Sequence, residues 1–280
     1  MNANWITNKD GSIYHLGLHK NQVATNIITV GDQNRVAAIS KYFDKIEHQI
    51  SNREFVTHTG YINDTRITVI STGIGTDNID IVINELDALF NVNLETGQAL
   101  NDFNKLNFVR IGTSGTIQKD IPIDSFLISK YALGLDNLMH FYKHKIDEQL
   151  IDEIRIKIGI KAYISKSSDR LLELFLDKDI FTGNTVTCAG FYGPQGRSTR
   201  LESTYESFIA LLQSANLSIG KITNLEMETA GIYGLCNALG HDCISLNAIL
   251  ANRALNTFSN QVEKTIDKLI QRSIEKIVSI

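Results

Sequence analysis

Three arginines occupy positions from which they can hold an anion. Arg35 ends Gly31-Asp-Gln-Asn-Arg35, Arg53 stands directly before Glu54, and Arg110 lies inside Asn107-Phe-Val-Arg-Ile-Gly-Thr-Ser-Gly-Thr116. A guanidinium is a permanent charge with a rigid fork of donors. The glycines beside Arg110, Gly112 and Gly115, permit close backbone approach, and the hydroxyls of Thr113, Ser114 and Thr116 are interleaved with them. Such a set can form an oxyanion cup at a strand end. The same residues also fit a strand running into an ordinary turn with Arg110 solvated. Two further groups carry chemistry: Glu226-Met227-Glu228, two carboxylates around a methionine, and Gln195-Gly-Arg197, an amide and a cation two residues apart.

These residues need elements to position them. Residues 26–30 are an apolar run followed at once by Gly31, and residues 34–43 have helical spacing through Val36, Ile39 and Phe43. A strand meeting a helix start is a common anion site, because free amides and the helix dipole favour negative charge. Residues 54–62 and 66–71 form strands joined through Asn63-Asp64, a hairpin signal. Ser71-Thr-Gly-Ile-Gly-Thr76 then leads into a helix through Ile79, Ile83, Leu86 and Phe90. Residues 91–105 are a polar excursion, expected to be partly helical. The central strand begins at Asn107 and turns after Arg110. Strands follow at 123–133, 185–191, 222–225 and 243–250, with helices at 147–160, 168–176, 205–214, 229–239 and 261–280. Alternation of strand and helix predicts an α/β fold with a largely parallel sheet covered on both faces.

Composition limits the partners. The chain has 280 residues, 43% hydrophobic and 21% charged, within the range of one α/β domain spanning 1–280. A net charge of −4 argues against nucleic acid, which requires a basic surface. The longest apolar runs are far short of a membrane span. Cys188, Cys236 and Cys243 form no CxxC pair and leave an odd count, and the first ten residues show no apolar signal core; both point to a reduced cytoplasmic setting. His140 and His144 are four apart but lack the acidic partner of HExxH, so no metal site is expected. No G-x-S-x-G elbow is present, and Gly73-x-Gly75 lacks the third glycine of a dinucleotide fingerprint.

An ordered series of segments resembles the nucleoside phosphorylase type I family, and within it the uridine phosphorylases. The series comprises Tyr14-His-Leu-Gly-Leu18, Gly31-Asp-x-x-Arg35, Arg53-Glu-Phe55, Ser71-Thr-Gly-Ile-Gly75, Arg110-Ile-Gly-Thr-Ser-Gly115, Phe191 through Arg197, Glu226-Met-Glu228 and Asn252-Arg253. The resemblance implies a phosphorylase/hydrolase-like fold with a central mixed, mostly parallel sheet flanked by helices. It implies phosphorolysis of a nucleoside to free base and ribose 1-phosphate. Gly31, Arg35, Arg110 and Thr113 would hold phosphate, with Arg53 donated by a neighbouring subunit. Met227 and Glu228 would bind ribose, with His15 of the neighbour at the 5′ hydroxyl. Phe191, Gln195 and Arg197 would hold the base, and Arg253 would position a covering loop. A homo-oligomer follows, at least a dimer and a hexamer by family expectation. No cofactor is implied beyond phosphate as co-substrate, although relatives bind a monovalent cation through a glutamate like Glu54, whose usual serine partner corresponds to Asn78.

The base preference rests on Gln195 and Arg197. Purine-specific members place an acid after the late strand, where this chain reads Ala251-Asn-Arg253. Glu226-Met-Glu-Thr-Ala-Gly-Ile-Tyr233 is nevertheless similar to the purine branch, so uridine is the expected substrate and a purine nucleoside the alternative. A nucleoside-binding relative without turnover and a nicotinamide-dependent dehydrogenase are the readings from other classes. Several positions depart from the family pattern: Thr76 replaces a glycine, Asp124-Ser125 replaces Gly-Asp, and Gly193-Pro194 inverts Pro-Gly.

Overall fold

The computed structural model describes residues 6–205 and 207–280, so the opening of the N-terminal reading and Glu206, within the 205–214 helix expectation, lie outside the described residues. The first half of the chain supplies strands β1 (Asn26–Val30), β2 (Lys45–Asn52), β3 (Phe55–Ile62) and β4 (Thr65–Ser71), with helices α1 (Gln33–Ser40) and α2 (Thr76–Asn91). A short pair, β5 (Val92–Asn93) and β6 (Gln98–Ala99), precedes β7 (Asn107–Thr116) and β8 (Phe126–Gly134). The second half contains α3 (Glu148–Ile158), β9 (Tyr163–Lys166), α4 (Asp169–Phe175), β10 (Ile180–Thr187), α5 (Phe208–Ser214), β11 (Asn216–Leu217) and β12 (Gly220–Glu226). It closes with α6 (Thr229–Leu239), β13 (Asp242–Asn252), β14 (Thr257–Phe258) and α7 (Val262–Ile277).

Twelve strands make one mixed sheet, in the order β11-β12-β10-β8-β13-β7-β1-β4-β3-β2 with β14 and β9 added at β13 and β8. The centre is parallel: β13, β7, β1 and β4 run side by side. Its side chains alternate between two cores, as a strand buried on both faces requires. Ile27, Phe108 and Ile70 pack with the apolar stripe of α2 and with α6. Ile28, Val109, Val69 and Ile244 face the opposite way, onto Val36 and Ile39 of α1 and Leu269, Ile270 and Ile274 of α7. A further pairing of β12 with β7 returns one end of the sheet onto its middle, so that β7, β13, β8, β10 and β12 form a closed ring. The β13 register shift between Ile249 and Ala251 accompanies this closure.

Several segments differ from the sequence reading. The central strand does not turn after Arg110 but continues to Thr116, because its second half pairs with β13 and then β12. Residues 92–99 form a short hairpin of two-residue strands where partly helical structure was expected. The strand expected at 185–191 begins at Ile180 and ends at Thr187. β2 and β9 show no clear periodicity in the sequence; each is an antiparallel addition to a stronger strand. The Asn63-Asp64 hairpin is present, with both residues in the left-handed region that such tight turns demand.

Candidate active site

A cavity of about 630 Å³ opens where β1, β4, β7 and β12 reach their carboxyl ends, the usual location for a ligand in an open α/β sheet. It gathers Gly31, Arg35, Arg110, Thr113, Phe191, Gln195, Arg197, Met227 and Glu228 from segments up to two hundred residues apart.

At one end stand two guanidiniums. Gly31 directly follows β1, and Asp32 caps α1 by accepting from the Asn34 amide at 2.9 Å. That cap fixes the turn from which Arg35 projects, its Nη1 donating to the Ile111 carbonyl at 3.3 Å. Arg110 is buried, pairing in register with Thr29 and Ser245 on the flanking strands. Gly112 is an extended strand residue, and its function is clearance: a β-carbon there would lie 2.0 Å from Arg110 Nη1. The guanidinium therefore lies over Gly112. Burial and the neighbouring Arg110 both press the Arg35 pKa down, the signature of two cations converging on space suited to an anion.

The buried carboxylates come next. Arg110 Nη2 stands 2.6 Å from Glu228 Oε2 and 3.1 Å from Glu226 Oε2. Glu228 Oε1 also accepts from the Gly75 amide at 2.9 Å, at the start of α2. Burial, reinforced by Glu226, drives the Glu228 pKa up despite Arg110. Glu226, whose role the sequence did not disclose, ties the start of α6: its Oε2 accepts from the Glu228 and Thr229 amides and the Thr229 hydroxyl. Its Oε1 accepts from Thr187 Oγ1 at 2.5 Å. Strong donors on every side identify it as the anchor that aims Glu228, and only its spacing from Glu228 could have signalled this.

The far end is a loop after β10. Gln195 is buried, and Arg197 Nη1 donates to its Oε1 at 2.7 Å and to the Phe191 carbonyl at 2.8 Å. The Arg197 guanidinium lies over the Phe191 ring at 3.9 Å, covering one aromatic face. Arg253, just past β13, donates to the carbonyls of Gln195 and Gly196, clamping the turn. Cys188 is buried, which pushes its thiol up to about 12 and leaves it un-ionised.

Four sequence-selected residues, His15, Arg53, Glu54 and Arg253, lie outside the cavity lining. His15 Nδ1 stands 2.5 Å from Glu85 Oε1, and the Asn52 side chain holds the His15 carbonyl at 2.7 Å. Arg53 stacks over Tyr14 at 5.2 Å and takes a positive φ of 53°. His15, Tyr14 and Arg53 thus form one cluster, separate from the cavity of their own chain. Glu54 is exposed, and Asn78 packs against Gly73.

Comparison with known proteins matches this architecture to one group. Residues 25–279 match the phosphorylase superfamily. A uridine phosphorylase of Escherichia coli is 36% identical over 278 residues, covering 95% of this chain and 98% of its own. A uridine phosphorylase of Thermococcus kodakarensis is 29% identical over 256 residues, covering 91% of this chain and 83% of its own. A solved Trypanosoma brucei nucleoside phosphorylase with uridine phosphorylase activity superposes with a TM-score of 0.87 at 28% identity, over 99% of this chain and 100% of that one.

Proposed function

This chain belongs to the phosphorylase superfamily, and on that premise we propose that it cleaves uridine with inorganic phosphate, releasing uracil and ribose 1-phosphate. One observation carries the reading: a single cavity orders paired guanidiniums, a buried carboxylate and an amide–guanidinium loop in the sequence phosphate, sugar and base require.

In the proposed reaction Arg35 and Arg110, with Gly31 and Thr113, hold the phosphate; forked cations replace the water that a dianion surrenders. Glu228, held by Arg110, accepts from the ribose hydroxyls through its carboxyl oxygens, with Met227 against the sugar. As the glycosidic bond breaks, the sugar becomes oxocarbenium-like and its positive charge is stabilised by phosphate and Glu228. The base departs with negative charge, which the Gln195 amide and Arg197 receive. Fixed donors aimed at developing charge are each worth about 3 kcal/mol in such sites. The end of β13 and the residue beyond it read Ala251-Asn252-Arg253, with no acid to protonate a purine, which favours a pyrimidine.

His15 and Arg53 enter the same proposal from a second copy. Their clustering on one face with Tyr14 suits delivery as a unit into a neighbour's cavity, giving a homo-oligomer of at least two chains and, by family resemblance, a hexamer. The whole chain, 1–280, acts as one catalytic domain, with phosphate as co-substrate and no cofactor. Three buried free cysteines support a reduced, cytoplasmic setting. The decisive experiment measures base release from uridine and from inosine, with and without phosphate. Phosphate-dependent uracil with little hypoxanthine supports the reading. Release without phosphate identifies a hydrolase, and preference for inosine a purine enzyme.

A further inference from the structure

The turn that leads into α2 has little of its own to hold it. Gly73 and Gly75 both take positive φ, 70° and 95°, and Gly75, the N-cap of the helix, has no side chain with which to cap it. Yet the Gly75 amide has a defined partner, donating to Glu228 Oε1 at 2.9 Å. Glycine backbone moves among many conformations at little cost. An amide held at one place here therefore needs a fastening from outside the turn.

Thr76, the first residue of α2 and one of the departures from the family pattern, supplies it. The side chain is buried, and its methyl group packs on α6, where a β-carbon at Gly231 would lie 2.9 Å from Thr76 Cγ2. Its hydroxyl is turned to the carboxyl of Asp136, which is itself buried two residues beyond the end of β8. The Leu138 amide donates to Asp136 Oδ1 at 2.9 Å, and Tyr163 Oη stands 3.0 and 2.8 Å from Oδ1 and Oδ2. The Tyr163 ring lies across Gly134, where a β-carbon would come 2.1 Å from it. Burial and then Asp136 push the Tyr163 hydroxyl far up, so the phenol keeps its proton and donates. Burial also raises the Asp136 pKa, while the Leu138 amide and the Tyr163 and Thr76 hydroxyls oppose the rise. A carboxylate only accepts, and three donors converge on this one beside the positive end of the α2 dipole. Asp136 and Thr76 lie outside the cavity lining, one layer behind Glu228.

We infer that Thr76 and Asp136 are positioning residues for the sugar end of the cavity: their contact fixes the glycine turn, and the Gly75 amide so fixed aims Glu228. The assignment rests on the phosphorolysis reading, in which Glu228 accepts from the ribose hydroxyls. Arg110 and Glu226 hold Glu228 from one side, and the Gly75 amide holds its other oxygen. With the fastening gone, Arg110 and the base-binding loop keep their own contacts, and only the carboxyl that meets the sugar loses its aim.

The test compares Thr76→Val, Thr76→Ser, Asp136→Ala and the Thr76→Val/Asp136→Ala double variant. Rates of uracil release give KM for uridine and for phosphate, and product inhibition gives the affinity for uracil, which fills the base end without a sugar. Valine keeps the shape of threonine and removes the hydroxyl. Uridine KM is expected to rise about five- to tenfold, with uracil inhibition and phosphate KM unchanged. Thr76→Ser returns the hydroxyl and restores uridine KM. Asp136→Ala reproduces the valine effect, with nothing added in the double variant. An unchanged uridine KM in Thr76→Val overturns the inference, as do additive effects in the double variant. Equal losses for uridine, uracil and phosphate also overturn it, because they would mean a general loosening rather than a misaimed Glu228. Should Asp136→Ala fail to fold, the valine and serine pair decides alone. Failure of the phosphorolysis reading is separate: wild-type protein would then release no uracil in response to phosphate.

Discussion

Replacing Arg110 by lysine tests the core of the proposed chemistry, because it keeps the charge and removes the fork. Arg110 Nη2 serves Glu228 and Glu226 at 2.6 and 3.1 Å while Nη1 serves Asn247 and Ser245 at 3.2 and 3.4 Å. A single ammonium can neutralise the two carboxylates but cannot also reach the Asn247 side. The Asn247 and Ser245 bonds go with the fork, and so do the paired N–H donors it would present to bound phosphate. Two charge-assisted bonds to phosphate, at about 1.5 kcal/mol each, correspond to roughly a hundredfold fall in kcat/KM for phosphate. Stability should fall by only about 1–2 kcal/mol, since both carboxylates retain a counter-charge; alanine would instead strand them, at about 3–5 kcal/mol. Initial rates of uracil release at varied phosphate, with urea unfolding in parallel, measure both quantities. A lysine variant within threefold of wild type would refute the forked-cation argument.

Three other outcomes follow from named contacts. Gly112→Ala places a β-carbon 2.0 Å from Arg110 Nη1 and must displace the guanidinium; phosphate KM should rise at least about tenfold, and an unchanged KM would show that Arg110 has another route. Gln195→Ala removes the Arg197 partner at 2.7 Å and should weaken uridine about tenfold with inosine less affected; equal losses for both would reject base reading. The Glu228 pKa is raised above 4.5 chiefly by burial, so the acid limb of kcat/KM should lie above that value. The folded state holds this proton more firmly than the unfolded chain, so stability from this group falls as pH rises from 4.5 through the folded pKa. Glu228→Gln should abolish that component in urea titrations between acid and neutral pH, and an unaltered pH profile would argue against it.

Local signals made most of the elements legible. The bounds of helix α6, Thr229–Leu239, are legible in the sequence because small and apolar residues begin directly after Glu228, and in the structure Gly240 ends the helix in a left-handed conformation. β1, α2 and α7 were equally clear from their periodicity. β2 and β9 were not, since each is defined by the strand it joins rather than by its own pattern.

The residue types and spacing by themselves mark Arg35, Arg110, Gln195, Arg197 and Glu228 as candidates, and the roles proposed for them come from the family resemblance. Only the tertiary structure decided how those groups are held. A glycine pair read as a turn proved to be strand, with Gly112 vacating room for Arg110, because pairing to β13 and β12 outweighs the local freedom of glycine. Glu226 became the anchor of Glu228 only once β10 and α6 brought donors to it. Hydrogen bonds running from Arg110 through Asn247, Ser129, Thr185 and Asn224 to Ser114 cross the strands β7, β13, β8, β10 and β12, and no local pattern encodes them, because only closure of the ring brings these side chains together.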